Sequence, residues 1–128
     1  MKKNIKIHPQ ISIVFLALIC LFHASCTGDL DITGTYVHHA ESEFSIADDT
    51  IIVALSQDQD YLISKSTGYR SLDEAGNQGP LVLEKEHRKG RYNPDSGILE
   101  GTGKGGTISF DKTEKVLKLG ANVYLRIK

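Results

Sequence analysis

Cys26 is the residue of this chain whose position indicates a definite reaction. A positively charged start with Lys2, Lys3 and Lys6 precedes an apolar run over residues 11–22, and Cys26 follows shortly after that run. This order is typical of a secretory signal, and in bacterial lipoproteins such a cysteine receives diacylglycerol on its sulfur and a further acyl chain on its nitrogen. The sequence therefore predicts a signal peptide over residues 1–25 and lipidation of Cys26 with palmitate-type chains.

The predicted anchor also sets the expected location. The apolar run is shorter than the roughly 20 residues that a helix needs to cross a bilayer, so a spanning helix is not expected. Three acyl chains hold a protein on a membrane much more firmly than one chain, whose binding is marginal. Thr27 follows the cysteine in place of an acidic residue, which favours the outer membrane. Both the periplasmic and the surface-exposed face stay open.

Charge and cysteine content exclude several classes of function. The leader holds three basic residues and no acidic one, so 12 of the 15 basic and all 16 acidic residues remain, a net charge of −4. A mildly acidic chain does not attract the phosphates of nucleic acid, and no nucleic-acid partner is expected. Cys20 leaves with the leader and Cys26 carries lipid, so the folded part has no thiol for catalysis, disulfides or zinc.

The histidines and acidic pairs do not form a predicted metal site. His38 and His39 are adjacent, so on a strand they point to opposite faces and do not converge on one ion. The acidic pairs at 48–49 and 58–60 resemble fragments of a calcium loop but lack its central glycine and final glutamate. We therefore expect neither a metal nor another cofactor.

The glycine-rich segment over residues 101–107 resembles a phosphate loop only superficially. Such a loop needs Gly-Lys followed directly by Ser or Thr and then a helix, whereas Gly105 follows Lys104 here and a strand pattern follows Thr107. A glycine-rich hairpin or bulge is the better interpretation. The chain also has no G-x-S-x-G elbow, and we expect no enzymatic activity.

Two oppositely charged segments are candidates for binding a protein partner. One is basic, with Lys85, His87, Arg88, Lys89 and Arg91, and the other is acidic around residues 41–49. Both are also compatible with ordinary solvated faces. The candidate partner-binding residues are Phe44, Ile46, Asp48, Asp49, Lys85, His87, Arg88 and Arg91.

The candidate residues lie in or beside short segments in which apolar and polar residues alternate. Alternation is clear at Val123, Leu125 and Ile127, and the segment 93–97 combines Asn, Pro, Asp, Ser and Gly, which favours a hairpin turn. We predict an all-β antiparallel meander, either a lipocalin-like up-and-down barrel or a strongly curved half-barrel. The eight predicted strands are residues 34–39, 51–56, 61–69, 81–92, 97–103, 107–111, 116–119 and 122–127.

The predicted organisation is a tether over residues 26–33 and a single β domain over residues 34–128. The segment 40–50, AESEFSIADDT, mixes helix formers with Phe44 and Ile46 and closes on paired acids. It interrupts the alternation, so we predict a short helical turn or flap near residues 40–49.

Several short motifs resemble a family of small lipoproteins of unknown function that are encoded with conjugative-transposon transfer genes in anaerobic Gram-negative bacteria. The motifs are GTYV at 34–37, SEFSIADDT at 42–50, TGYR at 67–70, ISF at 108–110, LG at 119–120 and Tyr124. The resemblance implies placement in the cell envelope and a mobile-element context. It implies no catalytic residue.

The sequence leaves three functions open. The first is a monomeric, lipid-anchored interaction domain without catalytic activity, accessory to a conjugative element. The second is a lipocalin-like carrier of a small apolar ligand, with Phe44 and Ile46 as a lid, since barrels of about eight strands can hold a ligand or fill their interior with side chains. The third is an inhibitor of a lytic enzyme.

Overall fold

The chain forms a closed β-barrel in the computed structural model, which describes residues 31–102, 105–112 and 115–128. The predicted leader and the first part of the tether lie outside the described residues. Eight strands follow one another around the barrel in chain order, each antiparallel to the next. The barrel closes where β8 pairs with β1, at Tyr36 with Arg126 and Val37 with Leu125. The predicted all-β up-and-down barrel is confirmed.

The strand bounds agree with the alternation pattern except near residue 45. The strands are β1 Gly34–Glu41, β2 Ser45–Leu55, β3 Asp60–Ser71, β4 Val82–Asn93, β5 Ile98–Gly101, β6 Ile108–Asp111, β7 Val116–Leu119 and β8 Asn122–Arg126. A 3₁₀ turn at Gln57–Gln59 joins β2 to β3. No helix long and apolar enough to cross a bilayer occurs in these described ranges.

The two ends of the barrel differ in the segments they hold and in how far the strands extend. We call one end the base: it holds Asp31, Lys128 and the β2–β3, β4–β5 and β6–β7 connections. The other end, the mouth, holds the four remaining connections. Strands β2, β3 and β4 are 11 or 12 residues long, whereas β5 to β8 have four or five. The long strands therefore extend beyond the short ones at the mouth and form a high wall on one side.

Apolar side chains fill the barrel near its base. Phe110 meets the rings of Tyr36 and Tyr92 edge-on, with centroids 5.8 and 5.7 Å apart. Ile32 is fully buried below them, and its carbonyl accepts a hydrogen bond of 2.9 Å from the Tyr36 hydroxyl. The other buried residues of this core are Ile51, Val53, Ile63, Leu99, Ile108, Leu117 and Tyr124. Each fully buried side chain of this size contributes about 1.5–3 kcal/mol, so the base is the main source of stability.

The predicted helical turn or flap near residues 40–49 is wrong. The segment is divided between β1 and β2, which meet in a hairpin where the Ser42 amide donates to the Ser45 carbonyl at 2.8 Å. From Ser45 onward every residue of β2 lies opposite a residue of β3. This pairing satisfies the backbone of β2 from Ser45 onward, so tertiary context overrides the local helix propensity.

The hairpin predicted at residues 93–97 is confirmed. The Asn93 side chain accepts hydrogen bonds from the amides of Asp95 and Ser96, and the Gly97 amide donates to the Asn93 carbonyl. Gly97 has φ 70°, a left-handed conformation that glycine adopts without steric cost. The predicted turn therefore ends β4, with the Asn93 side chain as the acceptor and Gly97 in the left-handed conformation.

Candidate functional site

A buried carboxylate marks the level at which the barrel interior changes from apolar to polar. Asp49 lies two residues before Ile51 on β2 and faces inward like it. Although Asp49 carries a carboxylate, only 8% of its surface is exposed. Its Oδ2 accepts a hydrogen bond of 2.8 Å from the Tyr124 hydroxyl and lies 3.5 Å from the Lys65 ammonium. Its Oδ1 is buried and has no hydrogen-bond partner among the described residues. We call Asp49, Lys65, Thr67 and Tyr124 the polar layer.

The protonation states of the polar layer follow from its surroundings. Burial alone raises the pKa of Asp49, but the nearby hydroxyls of Thr67 and Tyr124 and the Lys65 ammonium outweigh it and hold that pKa below its ordinary value. Burial, followed by the Asp49 carboxylate, raises the pKa of Tyr124 to about 12. At neutral pH Asp49 is therefore an anion and Tyr124 a neutral donor.

His38 supports the polar layer from β1. Its Nδ1 lies 2.8 Å from the Val123 carbonyl, and its ring centroid lies 5.2 Å from that of Tyr124. His39 points outward and its Nδ1 lies 2.6 Å from Asp48. The prediction that the two adjacent histidines point to opposite faces is confirmed.

The basic segment of β4 is divided between the two faces of the barrel wall. Arg88 pairs with the inward-facing Ile63 and reaches the Gly106 carbonyl at 3.3 Å, whereas Lys85 and His87 lie on the outer face. Arg91, also on the outer face, forms an ion pair with Asp60 at 3.0 Å. The candidate residues of β4 therefore do not form one continuous basic surface, because alternate side chains of a strand point to opposite faces.

The outer face of the high wall carries a shallow groove. Its floor is formed by Ser64 and Ser66 of β3, and its sides by Thr50 and Ile52 of β2 and by Lys85 and His87 of β4. The groove has a volume of about 280 Å³. The small serine side chains on β3, between larger neighbours on both sides, produce this depression.

A serine and a histidine meet in that groove. Ser64 Oγ lies 3.0 Å from His87 Nδ1, a contact the sequence did not indicate because it depends on the pairing of β3 with β4. A serine nucleophile also needs an acid that orients the histidine, and no hydrogen bond or ion pair joins His87 to a carboxylate in the described part of the chain. We therefore assign no catalysis to this pair.

Large apolar side chains are exposed at the mouth. Phe44, in the β1–β2 hairpin, is 70% exposed, and Leu81 and Leu83 lie over Gly68 on the outer face, where a Cβ on Gly68 would meet Leu83 at 3.3 Å. The Phe44 carbonyl accepts a 2.7 Å hydrogen bond from the Leu72 amide, which ties this hairpin to the β3–β4 connection. We call Phe44, Leu81 and Leu83 the mouth patch. Of these three, sequence reasoning found only Phe44.

The remaining candidates on β2 lie on both faces of the strand. Ile46 and Asp48 share the outer face, whereas Asp49 is buried inside. The structure therefore brings Phe44 and Ile46 to the mouth and separates them from Arg91 near the base.

No group of three or more His, Cys, Asp or Glu side chains arranged to hold a metal ion occurs within residues 31–102, 105–112 and 115–128. Comparison with protein-family models, curated proteins and solved structures finds no match to this chain.

Proposed function

We propose that the protein is a lipid-anchored, non-catalytic interaction domain of the cell envelope that binds a protein partner through its mouth. The observation that carries this proposal is the opposition of the two ends. Asp31, the first described residue after Cys26, lies at the base near Lys128, since Arg126 contacts both, whereas the mouth patch lies at the other end. An exposed apolar group with a charged surround is a common feature of protein-binding surfaces.

Acylation of Cys26 is the first part of this proposal to test. Mass spectrometry of the membrane-extracted protein should find a chain that begins at Cys26 and carries diacylglycerol and one amide-linked acyl chain. Cys26→Ala should abolish that modification and remove the protein from the outer-membrane fraction. An intact, unmodified leader in the wild-type protein would contradict the proposal.

Partner binding through the mouth is tested with two substitutions at leucines of nearly equal exposure. Leu83→Ser changes the mouth patch, and Leu55→Ser changes a side chain at the base end of β2; the two leucines are 63% and 62% exposed. Cross-linking in intact cells should capture an envelope protein with wild type and Leu55→Ser but not with Leu83→Ser. Equal capture by all three proteins would exclude the mouth as the binding surface.

The association with a conjugative element follows from the sequence resemblance alone. We propose that the domain is accessory to transfer, and deletion of its gene should lower transfer frequency, with restoration by wild type but not by Leu83→Ser. An unchanged transfer frequency after deletion would refute this role while leaving the anchored interaction domain intact.

A carrier of a small ligand is the second candidate, because the closed eight-stranded barrel is compatible with it. The base is filled by its own aromatic side chains, so a ligand would have to lie above the polar layer, on the inner face of the high wall. Native mass spectrometry of protein purified from its own membranes would then show a bound small molecule that Thr67→Leu displaces. Protein without any added mass would refute the carrier.

A further inference from the structure

Several apolar side chains are exposed on the outer wall near the base, away from the mouth patch. Four of them, with exposures between 39% and 60%, are Ile52, Leu62, Leu125 and Ile127, which we call the base patch. We propose that the base patch lies against the lipid bilayer and fixes the orientation of the barrel on the membrane. This inference rests on the proposed acylation of Cys26.

The strand register makes the base patch one surface. The Ile127 amide donates to the Thr35 carbonyl, and Thr35 pairs with Ile52, so these outward positions lie side by side on β8, β1 and β2. Leu125 pairs with Val37 on the same face. Leu62 of β3 pairs with Ala54, the next outward position of β2 after Ile52. Neighbouring strands therefore present apolar side chains on one side of the barrel.

The short tether favours the bilayer as the surface that the base patch contacts. Arg126 donates a hydrogen bond of 3.0 Å to the Asp31 carbonyl, which places Asp31 at the base. Cys26 is five residues earlier, and five residues reach at most about 18 Å. An acylated Cys26 therefore keeps the base next to the membrane surface, where a lipid contact forms without a second protein.

The charges around the base patch suit an anionic membrane surface. Lys118 and Lys128 are exposed on one side of it, and Lys89, which pairs with Leu62, is exposed on the other. Two carboxylates near the base, those of Asp60 and Asp31, lie 3.0 and 3.9 Å from the guanidinium groups of Arg91 and Arg126. Apolar side chains flanked by lysines are the combination that binds at the interface of anionic bilayers.

A single tryptophan tests this orientation, because the chain contains none. Acylated Ile127→Trp is placed on vesicles of phosphatidylethanolamine and phosphatidylglycerol, with and without brominated acyl chains. The matched reporters are Glu100→Trp, at an exposed position of β5 three strands from β8 and outside the base patch, and Phe44→Trp at the mouth. Circular dichroism confirms that each variant folds.

We expect brominated chains to quench the tryptophan fluorescence of Ile127→Trp roughly twice as strongly as that of either control. The reason is that interfacial side chains sit about 5–10 Å into the boundary between headgroups and acyl chains. Leu62→Trp, on the far side of the base patch, should behave like Ile127→Trp. Equal quenching at Ile127 and Glu100, or strongest quenching at Phe44, overturns the orientation although the anchor is intact. Absence of acyl mass on Cys26 overturns the proposed function and this inference together.

Discussion

The base and the mouth of the barrel use the same strands for different purposes. At the base, inward side chains are apolar and aromatic and fill the interior, whereas at the polar layer the same faces carry Asp49, Lys65 and Thr67. The difference shows that a closed barrel of this size can concentrate its stability at one end. The other end is then free to carry exposed apolar and charged side chains without being needed for the core.

The largest expected effect on stability comes from removing a core side chain at the base. Phe110→Ala should lower the free energy of unfolding by about 3–5 kcal/mol, because it removes a buried ring that contacts Tyr36 and Tyr92. The matched change Phe44→Ala removes an exposed ring at the mouth and should stay within about 0.5 kcal/mol of wild type. Urea unfolding measures both, and similar losses would refute the division between the two ends.

The polar layer should contribute less than the core. Tyr124→Phe removes the donor to Asp49 Oδ2 and leaves a buried carboxylate with fewer partners, so unfolding should become easier by about 1–3 kcal/mol. Tyr69→Phe is the matched control, because it removes the same hydroxyl from a partly exposed tyrosine of β3. A Tyr124→Phe protein as stable as Tyr69→Phe would show that this hydrogen bond is not needed.

Acid should weaken the fold partly through Asp49. Its pKa in the folded protein lies below the ordinary 3.8, so the ionised carboxylate stabilises the fold at higher pH, and that contribution is lost as pH falls through the folded pKa. Asp49→Asn should therefore reduce the loss of stability below about pH 4. Asp73→Asn, in an exposed turn at the mouth, should change the acid response less, because solvent screens its interactions. Identical acid responses in wild type and Asp49→Asn would contradict this assignment.

The smallest effect is expected on the outer wall of the mouth. The hydrogen bond to Asp48 raises the pKa of His39, so any stabilisation by this pair is present at low pH and is lost as pH rises through the folded pKa. Asp48→Asn should return the His39 pKa toward 6.5, as read by NMR titration of the ring. Glu41→Gln, which removes a carboxylate 4.0 Å from the ring, should lower it less. The reverse order would show that Glu41 is the main partner of His39.

The patterns that predict well here are local ones. Alternation correctly placed Val123, Leu125 and Ile127 on one face, but that face is the exposed one, and Tyr124 between them is the buried residue. Asn93 with Gly97 correctly predicted a turn. Each depends only on the backbone geometry of a few consecutive residues. The segment 40–49 failed because its composition favours a helix while its neighbours in space, β1 and β3, supply a strand environment.

The amino-acid sequence by itself determined the class of fold, the hairpin turn at residues 93–97 and the opposite orientation of His38 and His39. Only the tertiary structure decided which distant residues meet: Asp49 with Tyr124, Ser64 with His87, and Leu83 with Gly68. Periodicity is a property of one strand, whereas these contacts depend on the register between strands and on closure of β8 onto β1. Closure also decided which end of the barrel is filled and which end stays open.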